Sequence, residues 1–377
     1  MSNQQVAKKT KHLNIWNIIT FFNDMSLFGY LRDYTRRIFT QLCEWLRYSP
    51  VFCKIIKGLD IIKIKKLSIN SNQDLAFPTK LDPEWVTGFT DAEGCFSVIV
   101  EIPESSKWKV TTSFEINLHE KDKEILYKIQ SFFGVGGVYH RTDRKISVYR
   151  VTNINYIKDI IIPHFSNYPL ITQKKRDFIL WAQVINMIYN KEYKNKEGFL
   201  KILSYYASIN RGVSKNILNH YPNIVPCHKP HIHLPDRLKP QWVSGFVAGD
   251  GGFSIYVRGA KDYDIGEKVY CRFHIAQHSR DIELMKLFIQ FFNCGRVNMR
   301  SNPLTPRCDF FVQDIGSLLE KVIPHFDSYP LLNLKQKDFI CFKEALTIIK
   351  LNNHLTIEGL NKIKELNLEM NTNRLKN

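Results

Sequence analysis

A unit of about 130 residues occurs twice in this chain, and the duplication constrains the fold more than any other feature. Residues 85–98, WVTGFTDAEGCFSV, match residues 242–255, WVSGFVAGDGGFSI, without a gap. Further on, LHEKDKEIL pairs with QHSRDIELM, aligning His119 with His278 and Asp122 with Asp281. IPHFSNYPLITQKKRDF then pairs with IPHFDSYPLLNLKQKDF, aligning Lys174 with Lys335, and Glu197-Gly198 still matches Glu358-Gly359. The offset between copies grows by two residues at each of the first two steps, so the second copy carries two small insertions. Four collinear blocks are poorly explained by chance or low complexity. A chain of 377 residues is long enough for each copy to bury its own core.

Hydropathy patterning fills in each copy. Asp82-Pro83 supplies an N-cap and a proline at the first helical position, opening a short helix that ends at Gly94; Lys239-Pro240 opens its twin. Phe96, Val98, Val100 and Ile102 then alternate with Ser97, Ile99 and Glu101, the period of a strand with one buried face. Its counterpart buries Phe253, Ile255 and Val257 and presents Ser254, Tyr256 and Arg258. A second strand places Phe114 and Ile116 inward with Ser113, Glu115 and Asn117 outward; in the second copy Phe273 and Ile275 point in while Arg272 and His274 point out. A helix over 123–133, a glycine-rich turn, strands near 138–141 and 146–151, and helices over 156–164, 177–189 and 198–210 complete the unit. The fold class is therefore α+β, each repeat a four-stranded antiparallel sheet covered on one face by helices. The expected boundaries are 79–212 for the first repeat, 213–238 for a polar linker holding Pro222, Pro226, Pro230 and Pro235, and 239–377 for the second repeat. Phe132, Phe133, Phe291 and Phe292 read as core.

Residues 1–78 stand apart, with 12 Lys/Arg against 5 Asp/Glu mixed into apolar stretches. They read first as a poorly packed basic extension or the remnant of an upstream reading frame; one or two basic amphipathic helices could form there, and a targeting segment is the competing reading, weakened by Asp24 and Asp33. The formal net charge of +17 favours a polyanionic partner. The most apolar run, 15–31, is broken by Asn17, Asn23 and Asp24, which argues against a membrane span and leaves nucleic acid. The eight cysteines show no CxxC pair or framework spacing and read as reduced thiols. Cys227, His228, His231 and His233 lie close in sequence, but no second cluster completes a zinc site and Pro230 interrupts this one.

The chemistry gathers at the first repeated stretch, which keeps an acid at one place in both copies, Glu93 and Asp250. Gly88 and Ala92 lie four apart, as do Gly245 and Gly249, giving each short helix a small-residue stripe on which backbones can approach closely. If the two helices pair, Glu93 and Asp250 meet at adjacent C-termini. Like charges repel there, and the helix end is itself partly negative. A divalent cation removes the conflict, and oxygen ligands without a nearby His or Cys point to Mg²⁺. Asp91 has Ala248 as its counterpart, which argues for a structural role for Asp91.

VTGFTDAEG and VSGFVAGDG resemble the signature of the LAGLIDADG homing endonucleases, in the single-chain form with two motif copies. The resemblance covers about residues 79–375 and includes the flanking blocks quoted above. It implies pseudo-twofold repeats with the motif helices at their interface, two saddle-like sheets along the major groove, and cleavage of both strands of a duplex across the minor groove. By the same resemblance, Glu93 and Asp250 bind two or more divalent ions with the backbone of Ala92 and Gly249. Lys174 and Lys335 match basic residues near the scissile phosphates, and Gln277 a polar residue that arranges water. Its partner position holds Leu118, so the half-sites are unequal. Ser97, Glu101, Ser113, Glu115, Asn117, Arg141, Ser254, Tyr256, Arg258, Arg272, His274 and Arg300 become candidate DNA contacts on a target of ~20 bp. An intron RNA maturase, or a catalytically silent DNA-binding protein, is the alternative on this scaffold. The enzyme is expected to act as a monomer. The abundance of Lys, Asn, Ile, Phe and Tyr, all residues with AT-rich codons, hints at an AT-rich genome such as an organelle's, the mitochondrion first and the chloroplast as the alternative.

Overall fold

The computed structural model describes residues 80–102, 108–302 and 304–371; the basic extension and its expected helices lie outside them. Helix α1 (Pro83–Glu93) runs directly into β1 (Gly94–Glu101) and β2 (Lys109–His119); α2 (Lys123–Phe133), β3 (Gly137–Arg141) and β4 (Ile146–Val151) follow. Then come α3 (Ile162–Asn167), α4 (Lys174–Tyr189), α5 (Lys196–Ser208) and the small α6 (Lys215–His220). The second copy repeats the plan with α7 (Pro240–Asp250), β5 (Gly251–Gly259), β6 (Glu267–His278), α8 (Ile282–Phe292), β7 (Arg296–Met299), β8 (Arg307–Val312), α9 (Ile323–Ser328), α10 (Lys335–Lys350) and α11 (Ile357–Leu368). The sheets are antiparallel with orders β1-β2-β4-β3 and β5-β6-β8-β7. This is the expected α+β duplication.

Strand alternation builds the two cores. Phe96 on β1 lies 5.3 Å from Phe114, 5.2 Å from Phe178 and 5.0 Å from Trp181, ring centre to ring centre. Phe253 on β5 repeats this with Phe273 at 5.3 Å, Phe339 at 5.5 Å and Phe342 at 5.2 Å. All these rings but Phe178 are almost fully buried, each contributing roughly 1.5–3 kcal/mol. Phe133 and Phe292 join the core and Phe132 and Phe291 pack at its edge.

The structure departs from the sequence reading in the helical region and the linker. Helix α3 is entered through a π-helical turn, Ile157–Ile161, and its copy α9 through Leu318–Val322; Pro163 and Pro324, with no N–H to give, occupy its exit. Helix α4 begins at Lys174, three residues before the expected start at Asp177, and its copy α10 begins at the matching Lys335. The linker is built into the first repeat, with Ile217 and Leu238 buried. Ser208 Oγ donates to the Cys227 carbonyl at 2.7 Å, and Lys229 reaches Asp177 at 3.2 Å. Among the described residues no group of three or more His, Cys, Asp or Glu side chains is arranged for a metal. No helix among them is long and apolar enough to cross a membrane.

Candidate active site

Helices α1 and α7 cross at their glycines. A Cβ on Gly88 would sit 2.1 Å from the Trp242 carbonyl oxygen, and one on Gly245 would sit 2.0 Å from that of Trp85. No side chain fits, so the backbones touch. One turn on, Ala92 faces Gly249: a Cβ on Gly249 would lie 2.3 Å from the Ala92 methyl and 3.3 Å from Glu93 Oε1. The carboxylate of Glu93 thus hangs over the last turn of the opposite helix, beside Asp250.

Both acids are half-buried. Burial raises the Glu93 carboxyl above its ordinary range despite Lys335 and Lys174 nearby. Burial, and then Glu93 itself, pushes Asp250 up to about 6. Their surroundings differ. Gln277 on β6 donates through Nε2 to Asp250 Oδ2. On the other side, Leu118 lines a cavity with Glu93, Asn117, Ala248, Gly249 and Lys335.

The two lysines cap the motif helices. Lys174 Nζ donates to the carbonyls of Thr90 at 2.9 Å and Ala92 at 3.1 Å; Lys335 Nζ donates to Val247 at 3.0 Å and Gly249 at 2.6 Å. Each satisfies carbonyls that a helix C-terminus leaves open and sets positive charge against the negative end of its dipole. Burial lowers both ammonium groups, Lys335 to about 8. The carbonyls of Ala92 and Gly249, expected to face a metal, therefore already accept a lysine hydrogen bond each.

The turns that carry these lysines are fastened by residues the sequence did not single out for the site. Asp122 Oδ1 of the first repeat accepts from Leu334 N of the second at 3.1 Å, and Asp281 Oδ1 accepts from Gln173 N at 2.8 Å. Each repeat thus positions the other's lysine. Both aspartates were visible as a repeated position, but nothing in a lone acid names an acceptor so far along the chain. Asp91 is fully structural in its contacts. It accepts from Ile171 N at 3.0 Å, Thr172 N at 3.2 Å, Thr172 Oγ1 at 2.6 Å and, across the interface, Trp242 Nε1 at 2.9 Å. Where Ala248 replaces it, Trp85 Nε1 has no hydrogen-bond partner among the described residues.

On the face of each sheet turned from its helices stand the candidate DNA contacts. Ser97 pairs across the ladder with Ser113, Glu101 with Lys109 and Glu115 with Arg150. Ser113 corrects the sequence reading: it is on this face but buried at 3% exposure, because its hydroxyl donates to Glu115 Oε1 at 2.8 Å. Arg150, missed by the sequence, lies 2.8 Å from the same oxygen. Asn117 and Arg141 are exposed. On the second sheet Tyr256 pairs with Tyr270, Ser254 with Arg272 and Arg258 with Lys268. Arg300 makes a two-pronged ion pair with Asp309, both contacts 2.7 Å. His274 lies beside Gly252, where a Cβ would come within 2.7 Å of its ring.

Two antiparallel sheets are thus bridged by glycine-crossed helices that end in an acid pair, one such half in each repeat. A family model described as LAGLIDADG endonuclease matches residues 86–185 and again 243–346, and the chain belongs to that family. Probable intron-encoded endonuclease 2 of Neurospora crassa is 38% identical over 301 residues, covering 76% of this chain and 64% of the relative. Probable intron-encoded endonuclease 3 of the same organism is 31% identical, covering 75% and 53%. The chain thus spans about half to two thirds of these relatives. The I-SmaMI LAGLIDADG homing endonuclease, solved bound to cleaved DNA, superposes with a TM-score of 0.76 at 34% identity, covering 78% of this chain and 98% of that one. I-LtrWI, bound to target DNA, gives 0.74 at 36% identity, covering 77% and 98%. I-SmaMI has also been solved on uncleaved target in the presence of calcium ions.

Proposed function

We propose that this chain is a homing endonuclease, hydrolysing one phosphodiester on each strand of a long asymmetric DNA duplex. The observation that carries the reading is the pair Glu93 and Asp250, half-buried side by side where α1 and α7 end, both carboxyls raised by burial although Lys174 and Lys335 stand nearby. Such a site fits a cation. The donors are carboxylate oxygens with no His or Cys among them, a set suited to Mg²⁺, which when bound supplies positive charge to the phosphate and an acidified water. Glu93 and Asp250, ionised, would hold that ion. Gln277 fixes the orientation of Asp250, and Lys174 and Lys335 keep the helix ends, and so the acids, in register. Ammonium groups beside the acids also favour a phosphate's approach.

The relatives support a duplex partner, since I-SmaMI and I-LtrWI are solved on DNA. One chain already completes the acid pair, which supports action as a monomer. Intron-encoded fungal relatives, and a Saccharomyces cerevisiae relative named as a mitochondrial protein, 22% identical, support a mitochondrial origin. The test is incubation of the full chain with a randomised duplex library and Mg²⁺, sequencing the cut ends. Recovery of one preferred site supports the proposal; no cleavage of any duplex rejects it.

A further inference from the structure

The two sheet faces spend their charged groups differently, and the difference singles out one residue. At three corresponding positions the first sheet has Ser113, Glu115 and Arg150, and the second has Arg272, His274 and Phe311. The first trio is closed on itself: Ser113 donates to Glu115, and Glu115 pairs with Arg150. The second trio is open. Arg272 lies over the Phe311 ring at 4.3 Å, and Arg296 lies over the same ring at 4.7 Å. Together they leave Phe311 only 6% exposed on the groove side of the sheet. Arg272 forms no ion pair among the described residues, and its Nε is buried without a hydrogen-bond partner, as is Nδ1 of its neighbour His274. The nearby acid, Asp309, is already engaged by Arg300.

A stacked guanidinium can present its two terminal amino groups while the ring fixes its plane, so little freedom is lost when they meet two acceptors. In a major groove the pair of acceptors that fits such a fork is O6 and N7 of guanine. Given the reading of this face as DNA-binding, we propose that Arg272 is a guanine reader, and that the half-site facing β5–β8 is more strongly specified than the half facing β1–β4. Arg272 lies five positions along β6 from Gln277, which contacts the active-site acid. At about 3.3 Å per strand residue and 3.4 Å per base step, the guanine lies about 5 bp from the centre of the target.

The test is a binding selection with the full chain on a randomised duplex library, with calcium replacing magnesium, for wild type, Arg272→Lys and Arg272→Ala. Lysine keeps the charge and loses the fork. Wild type is expected to enrich guanine at one position about 5 bp from the centre of the better-specified half. Arg272→Lys should lose that enrichment about tenfold or more, with the remaining positions unchanged. An unchanged profile in both variants, or a loss spread evenly over all positions as for a phosphate contact, overturns the proposal, as does the absence of any enrichment by wild type. A chain that binds its selected duplex but does not cut it in magnesium would sink the endonuclease reading and leave this one standing.

Discussion

Asp250 shows how a residue can be wrong for stability and right for chemistry. Its carboxyl titrates near 6 instead of the ordinary 3.8 because it is buried beside Glu93. An acid whose folded pKa is raised costs nothing below the unfolded pKa, and its full penalty is present above the folded one. Without a divalent ion, stability should therefore fall between about pH 4 and 6 on account of Asp250, by about 3 kcal/mol. Asp250→Asn removes the charge and keeps an acceptor for Gln277. At pH 7.5 in chelator this variant is expected to melt several degrees above wild type, read by circular dichroism; an equal or lower melting temperature would show that the acid pair carries no such strain. Asp91 is the opposite case. Its contacts are all protein donors, so Asp91→Ala leaves several buried groups unpaired and should lower unfolding free energy by roughly 3 kcal/mol or more in urea titrations. A change below about 1 kcal/mol would mean those bonds are replaced by water.

At the scale of elements, what the sequence disclosed is what period and repetition encode. Strand faces followed from alternation at Phe96 to Ile102, the helix pair from small residues at Gly88 and Gly245, and the acids from recurring at one place in both copies. What stayed hidden depends on partners distant in sequence. Asp122 reaches Leu334, Asp281 reaches Gln173, and Asp91 reaches Trp242, and no local pattern announces such pairings. The burial of Ser113 is similar, since it follows from Glu115 and Arg150 above it and not from the strand's period. The helix crossing makes a direct prediction. Gly88→Ala would place a methyl within 2.1 Å of a backbone oxygen, which α1 can accommodate only by moving off α7. The variant should be destabilised by about 3 kcal/mol or fail to accumulate as folded protein; wild-type stability would refute the crossing.

The π-turn helices are tied to the motif helices by buried imidazoles, His164 with Thr87 at 3.2 Å and His325 with Ser244 at 3.1 Å. Burial lowers both to about 4, from an ordinary 6.5. Stability from these neutral imidazoles is present above the unfolded pKa and lost as pH falls from about 6.5 to about 4, by up to about 3 kcal/mol each. Asp250 runs the other way over part of this range, so the contribution is read by difference. The variant His164→Gln with His325→Gln should show a shallower loss of urea midpoint between pH 7 and pH 5 than wild type. An identical slope would mean the imidazoles are not what acid disrupts.

For the whole molecule, duplication supplies two sheets and two acids, and divergence between the copies makes them unequal. On the second face Arg258, Arg272 and Arg296 lie over aromatic rings, the first is closed by Glu115, and Asp250 has Gln277 where Glu93 has Leu118. Yet the acids share one crossing, one pair of capping lysines and one conflict of charge, so they are predicted to work as a single centre and not as two independent ones. The most direct measurement is strand-resolved cleavage of a selected target in Mg²⁺ by Glu93→Gln and by Asp250→Asn, alongside binding of the same duplex in Ca²⁺. Each variant is predicted to bind within a few-fold of wild type and to lose cleavage of both strands, by about 10³-fold or more. Cleavage at the wild-type rate by either variant, on either strand, would contradict a shared acid centre at the ends of α1 and α7.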